Sequence, residues 1–148
     1  MSYAIDVNVL LYASNAESPF NAKATAFLEA SAAQPEICCL AWITLMSYLR
    51  MATHPAIFAR PLTPHAAAAN VQALLDLPHC RVIGEDDSGE GEFWRAYLEV
   101  TAAVPARGNL VPDAHLAALL LRNGVTTLYT HDRDFRKFAF LDVRDPLS

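Results

Sequence analysis

The sequence predicts an α/β fold, with a mainly parallel β-sheet flanked by α-helices. Segments with apolar residues at intervals of three and four alternate with short runs rich in β-branched and aromatic residues. No internal repeat or Gly/Ser-rich linker interrupts this alternation. Since 53% of the 148 residues are hydrophobic, the chain can bury one core, and we expect a single domain over residues 1–148.

The first half of the chain is expected to form two strands and four helices. The apolar stripe of the second helix consists of Ala22, Ala26, Phe27, Ala30 and Ala33. Pro35 ends that helix, and Pro64 suits the first turn of the fourth. The expected elements are a strand over Ser2–Ile5, helices over Val7–Ala13 and Asn21–Ala33, a strand over Glu36–Leu40, and helices over Trp42–Ala52 and from Pro64 to about Asp76.

The second half is expected to add three strands and two helices. Gly124 suits the C-terminal cap of the second of these helices. The expected elements are a strand over Cys80–Ile83, an acidic loop over Gly84–Glu92, a helix over Phe93–Ala103, a turn-rich connection over Pro105–Asn109, a helix over Val111–Asn123, a strand over Val125–Thr130 and a short strand over Leu141–Val143.

Composition excludes several classes of protein. With a net charge of −5 and 18% charged residues, the chain has no general attraction to polyanions, so any contact with nucleic acid must come from a local basic face. No apolar run approaches the roughly 20 residues that span a bilayer, and the first residues do not resemble a secretion signal. We therefore expect a soluble, cytoplasmic protein with no membrane partner.

Cysteine, histidine and glycine patterns exclude further kinds of site. Three cysteines, two of them adjacent, predict small buried side chains rather than a disulfide framework, and the five histidines lack the spacing of zinc ligands. The five glycines form no phosphate-binding loop. A phosphatase with Asp6 as nucleophile is disfavoured, because Asn8 stands where a second acid is usual.

Four aspartates are expected at one edge of the sheet. Asp6 follows the first strand, Asp113 opens a helix, and Asp132 and Asp134 follow the strand that ends at Thr130. Ligands of open parallel sheets bind where strands end. Each aspartate alone is also explained as a helix cap. Together they would repel one another unless a cation lay among them, and oxygen ligands favour Mg²⁺ or Mn²⁺.

Four sequence blocks carry a family resemblance through their order and spacing. They are Ile5–Tyr12, Tyr48–Phe58, Asn109–Ala118 and Thr130–Phe135, followed by the closing Asp145–Leu147. These blocks resemble the signature of PIN-domain ribonucleases, and most closely the VapC-type toxins of bacterial toxin–antitoxin pairs. The resemblance spans nearly the whole chain.

The resemblance implies a single PIN-like domain with metal-dependent endoribonuclease activity. Asp6, Asp113 and Asp132 are then catalytic residues that hold Mg²⁺ or Mn²⁺, and Asp134 is a supporting catalytic acid. It also implies an RNA substrate, a cognate antitoxin protein and a homodimer.

One position departs from the family pattern. Ser47 stands where such proteins tend to have a glutamate, and no acidic residue occurs from Ile37 to Leu75. Three consequences of the absent glutamate are open. Ser47 or Asn8 supports the site through a water molecule, or Asp134 supplies the negative charge of the absent glutamate, or the activity is reduced. A PIN-fold module that binds RNA or protein without cleaving it is therefore the alternative hypothesis.

Basic and aromatic residues near the aspartates are candidates for substrate contacts. We predict that Asn8, Ser47, Arg50 and Arg133 contact the substrate. Arg50 either pairs with a buried carboxylate or faces the cleft. Trp42 and Phe58 fit a core pattern or stack on bases. An apolar groove along the segment from Trp42 to Phe58 is expected to receive the antitoxin.

Overall fold

A computed structural model describes residues 1–85 and 91–148. Within these ranges five strands and six α-helices follow one another, with one short 3₁₀ helix over Arg133–Lys137. The strands are β1 Ser2–Ile5, β2 Ile37–Ala41, β3 Cys80–Ile83, β4 Thr127–Tyr129 and β5 Asp142–Arg144. The helices are α1 Val7–Ser14, α2 Asn21–Ala33, α3 Trp42–Ala52, α4 Pro64–Leu75, α5 Glu92–Ala103 and α6 Leu110–Arg122. The acidic loop expected over Gly84–Glu92 falls mostly on residues 86–90, which lie outside the described ranges.

The described strands form one parallel sheet in the order β3-β2-β1-β4-β5, so the predicted fold class is confirmed. From β1 the chain builds the sheet first to one side, through β2 and β3, and then to the other side, through β4 and β5. The neighbours β1 and β4 therefore flank the point where strand order reverses. Ligands bind at such a point in open α/β sheets.

Strand pairing changes several predicted element ends. The strand expected over Val125–Thr130 is Thr127–Tyr129. Its start is later because the Val125 amide donates to the Leu120 carbonyl of α6. The last strand starts one residue later than expected, since its register pairs Asp142 with Thr127. Neither hydrogen-bonding partner can be read from a local sequence pattern.

The sheet separates two apolar cores, and the side chains of β1 alternate between them. Ala4 faces the core beneath α5 and α6, whereas Tyr3 and Ile5 face the core beneath α1 to α4. Helix α6 buries every residue from Leu116 to Leu120. Because α6 leads into β4, this packing fixes the first turn of α6 at the edge where the strands end.

The structure corrects two predictions about apolar residues. The alanine stripe of α2 is wrong as a buried face, since Ala22, Ala26 and Ala30 are exposed and Ala24 is buried. Trp42 lies outside the core and is 46% exposed, whereas Phe58 is 3% exposed and belongs to the core.

The cysteines pack as expected for free thiols. Cys39 is buried, and Cys38 and Cys80 are half-buried. No helix in the described residues is both long and apolar enough to cross a membrane.

Candidate active site

Asp6 is a buried carboxylate that also caps a helix. It follows β1, is 8% exposed and is the N-cap of α1. The Val7 amide donates to its Oδ1 at 2.8 Å, and the Thr130 hydroxyl donates to its Oδ2 at 2.9 Å. The cap and the site carboxylate, which the sequence offered as alternatives, are here the same group.

Thr130 links the ends of β1 and β4. Its buried hydroxyl accepts from the Asn8 side-chain amide and from the Asp132 backbone amide, each at 3.0 Å. The Asn8 Oδ1 atom in turn accepts from the His131 amide at 3.2 Å. Thr130 was not among the predicted site residues, although a hydroxyl at the end of a strand, two residues before an aspartate, was the available signal. Asn8 is thus held beside Asp6 by the backbone that follows β4.

Three carboxylates converge next to this pair. Asp113, in the first turn of α6, lies with Asp132 and Asp134 so that one oxygen from each falls within 4.8 Å of the others. Asp132 caps the 3₁₀ helix by accepting from the Asp134 amide at 2.9 Å. Asp6 lies outside this group of three, and its oxygens accept hydrogen bonds from Val7, Thr130 and Asn8. Its role as a metal ligand stays a prediction.

The cluster is electrostatically strained without a cation. Burial, with the charges of Asp132, Asp6 and Asp134, raises the pKa of the Asp113 carboxyl to about 7, and Lys137 lowers it in part. Burial also raises the pKa of Asp6, while the hydrogen bonds from Thr130 and Val7 oppose that change. Several oxygen donors under mutual repulsion form a ligand set that suits a hard divalent ion.

A cleft of about 330 Å³ opens beside the aspartates, between α3 and the first turn of α6. Asp6 and Asp113 lie at one side, and Ser47 and Arg50 line it from α3. Among the described residues the Arg50 guanidinium has no ion-pair or hydrogen-bond partner. Arg50 therefore faces the cleft rather than pairing with a buried carboxylate.

The 3₁₀ helix that carries Asp134 also carries exposed basic residues, which we call the basic rim. Arg133 is exposed on the 3₁₀ helix, and Lys137 Nζ lies 3.9 Å from Asp134 Oδ1. The structure thus places Asn8 against Asp6, Ser47 and Arg50 in the cleft, and Arg133 at the exposed rim. Their contacts with a substrate stay predictions.

A second, larger hollow lies away from the aspartates. An apolar groove of about 420 Å³ runs between α1, α2 and α4. The Tyr48 hydroxyl lines it, with its oxygen 2.7 Å from that of Ser14 and 2.9 Å from the Asn70 side-chain nitrogen.

Comparisons with known proteins agree with this geometry. A family model described as the PIN domain matches residues 3–141. Ribonuclease VapC48 of Mycobacterium tuberculosis is 43% identical over 148 residues, which cover 100% of this chain and 99% of that protein. Ribonuclease VapC43 of the same organism is 35% identical over 144 residues, with 97% and 95% covered.

Two solved structures share the fold at low sequence identity. Mycobacterium tuberculosis VapC20, described as a toxin that cleaves the sarcin–ricin loop, has a TM-score of 0.68 at 19% identity, with 96% of this chain and 98% of that chain covered. A chain in the complex of VapBC2 from Rickettsia felis with a fragment of its promoter DNA has a TM-score of 0.69 at 16% identity, with 98% of each chain covered.

Proposed function

The chain belongs to the PIN-domain family, among its VapC ribonucleases, and we propose that it is a metal-dependent endoribonuclease. We propose further that it is the toxin of a type II toxin–antitoxin pair. The observation that carries the proposal is the convergence of Asp113, Asp132 and Asp134 beside the buried Asp6. An RNA-cleaving toxin has its substrate in the cytoplasm, so we assign the protein to that compartment.

The residues of the site fit a divalent cation, and we assign them different roles around it. Asp113, Asp132 and Asp134 would hold Mg²⁺ or Mn²⁺, and Asp6 adds a buried carboxylate whose charge acts on Asp113. Such an ion polarises a phosphodiester and lowers the pKa of water. Thr130 and Asn8 keep Asp6 and the Asp132 backbone in place. Arg133 and Lys137 are exposed cations on the 3₁₀ helix that carries Asp134, and they suit the phosphates of an RNA strand.

Cleavage of total RNA by antitoxin-free protein tests the proposal. We expect discrete fragments with Mn²⁺ or Mg²⁺, and none with EDTA or in Asp113→Asn, which keeps the shape of the side chain and removes its charge. Asp76→Asn, at the C-cap of α4, is the matched control and should cleave normally. We expect 5′-phosphate and 3′-hydroxyl ends.

The alternative is a PIN-fold module that binds without cleaving. Its specific support is Ser47, which lines the cleft beside Asp6 and Asp113 where the family resemblance implies an acid. Folded protein that cleaves no RNA in any metal would favour this alternative over the nuclease.

We also propose a cognate antitoxin as partner, which the VapBC complexes among the similar structures support. The surface we assign to it is the exposed side of α3, where Met46 is 49% exposed. Met46→Asp should weaken antitoxin binding, whereas Ala73→Asp, in the apolar groove of α1, α2 and α4, should not. The reverse result would move the antitoxin to that groove.

The homodimer that we expect is a further proposal. Trp94 and Leu98 are 57% and 49% exposed, one turn apart on α5, and exposed apolar patches often mark interaction surfaces. Sedimentation of the free protein and of Trp94→Glu tests it. A monomeric wild-type protein would remove the dimer from the proposal.

A further inference from the structure

The cleft beside the aspartates has the size and lining of a small-molecule pocket. Its volume of about 330 Å³ is near the lower end of the range for ligand pockets. Ile43, Met51, Pro112 and Leu116 supply apolar walls, as a flat aromatic ring system requires. A single unstacked base fits such a space.

The polar groups of the cleft are placed to fix the orientation of a ring. Thr44 and Ser47 line it, and each carries a hydroxyl that can both donate and accept a hydrogen bond. Arg50 adds a planar guanidinium with hydrogen-bond donors only, and this group is free of partners among residues 1–85 and 91–148. A ligand for Arg50 must therefore present acceptors, preferably two side by side.

Guanine presents this pattern in the form that arginine most often contacts. Its O6 and N7 atoms accept a bidentate pair of hydrogen bonds from arginine. Because Asp6 and Asp113 line the same cleft as Arg50, a base held there keeps its own backbone within reach of the carboxylate cluster.

We propose that this cleft is a base pocket, in which Arg50 recognises a guanine adjoining the scissile phosphate of single-stranded RNA. The inference rests on the proposed nuclease function and deepens it by assigning the base next to the cut. Unpaired RNA is required, since only a splayed base enters a pocket of this size.

The test uses short single-stranded RNAs that carry one guanine, adenine, cytosine or uracil in an otherwise uniform sequence. Wild-type protein with Mn²⁺ should cut beside guanine, with a preference of about tenfold or more over adenine, as a bidentate contact provides. Arg50→Gln should lose that preference, and Arg50→Lys should weaken it, because lysine keeps the charge but lacks the planar pair of donors. Arg95→Gln, an exposed arginine on α5, is the matched control and should keep it.

A binding measurement separates the pocket from the cleavage reaction. Asp113→Asn protein in EDTA should bind the guanine-containing RNA more tightly than the others in fluorescence anisotropy. Ser47→Leu, which fills the cleft, should abolish the difference while circular dichroism reports an intact fold.

The outcomes distinguish the two proposals. Cleavage without base preference, or a guanine preference that survives in Arg50→Gln, overturns the base pocket. Folded wild-type protein that cleaves none of the RNAs overturns the proposed function, while the anisotropy still decides whether guanine is selected. Equal binding of all four RNAs overturns the pocket in either case.

Discussion

At the scale of single residues, one buried hydroxyl organises the site. A hydroxyl has one donor and two acceptor positions, and Thr130 uses all three, on Asp6, Asn8 and the Asp132 amide. The Thr130 side chain is thus fully satisfied, and its hydrogen bonds tie the residues after β1 to those after β4.

We predict that Thr130→Val destabilises the protein by about 1–3 kcal/mol, because the shape is kept while buried polar groups lose their partner. It should also reduce RNA cleavage. Thr130→Ser keeps the hydroxyl and should retain most of the activity. Urea unfolding and cleavage rates measure both effects, and a Val variant as stable as wild type would contradict this role.

The raised pKa of Asp113 predicts that the stability of the metal-free protein depends on pH. Its folded-state pKa of about 7 exceeds the ordinary 3.8, so the folded chain binds this proton more tightly than the unfolded chain. The contribution of Asp113 to the stability of the folded state is fully present below the ordinary pKa of 3.8, and it is lost as the pH rises through about 7. In EDTA, the melting temperature of wild type should fall over that window more steeply than that of Asp113→Asn. Parallel curves would exclude the effect.

At the scale of elements, two short helices start on site aspartates. Asp6 caps α1 and Asp132 caps the 3₁₀ helix, so the groups that begin these helices also face the cluster. Negative charge at a helix N-terminus is favourable, which partly offsets the repulsion among the carboxylates.

Two substitutions separate the cap from the charge. The asparagine of Asp132→Asn can still cap the 3₁₀ helix, whereas the alanine of Asp132→Ala cannot. We therefore predict that the alanine variant is less stable than the asparagine variant by about 1 kcal/mol. Both should abolish metal-dependent cleavage. Equal unfolding free energies for the two variants would show that the cap contributes nothing.

The sequence predicted which elements exist better than where they end. Strand-end positions placed Asp6 and Asp132 together because carboxyl ends of parallel strands share an edge. The role of Thr130 needed the pairing of β1 with β4, which joins distant parts of the chain. The exposure of Trp42 and of the alanines of α2 depended on tertiary packing, which helical spacing does not contain.

At the scale of the whole molecule, the carboxylate cluster couples metal binding to folding. Asp113 comes from the helix before β4, and Asp132 and Asp134 follow β4, so only the folded chain brings their oxygens together. A ligand that binds the folded state alone stabilises it by mass action.

We therefore predict that millimolar Mn²⁺ raises the melting temperature of wild type at neutral pH. Asp113→Asn and Asp132→Asn should show little or no rise, and Asp76→Asn should behave as wild type. Differential scanning fluorimetry against EDTA makes the measurement. No shift in wild type at any Mn²⁺ concentration would mean that the aspartates do not form a cation site.

The pairing of β1 with β4 also determines when the carboxylate cluster can form while the chain is being synthesised. Asp6 emerges from the ribosome early, but its partners Thr130 and Asp132 are more than 120 residues away along the chain. A nascent chain that lacks β4 carries isolated acids and no cluster. Since a ribosome adds only about 5–20 residues per second, the carboxylate cluster is absent for the first several seconds of synthesis.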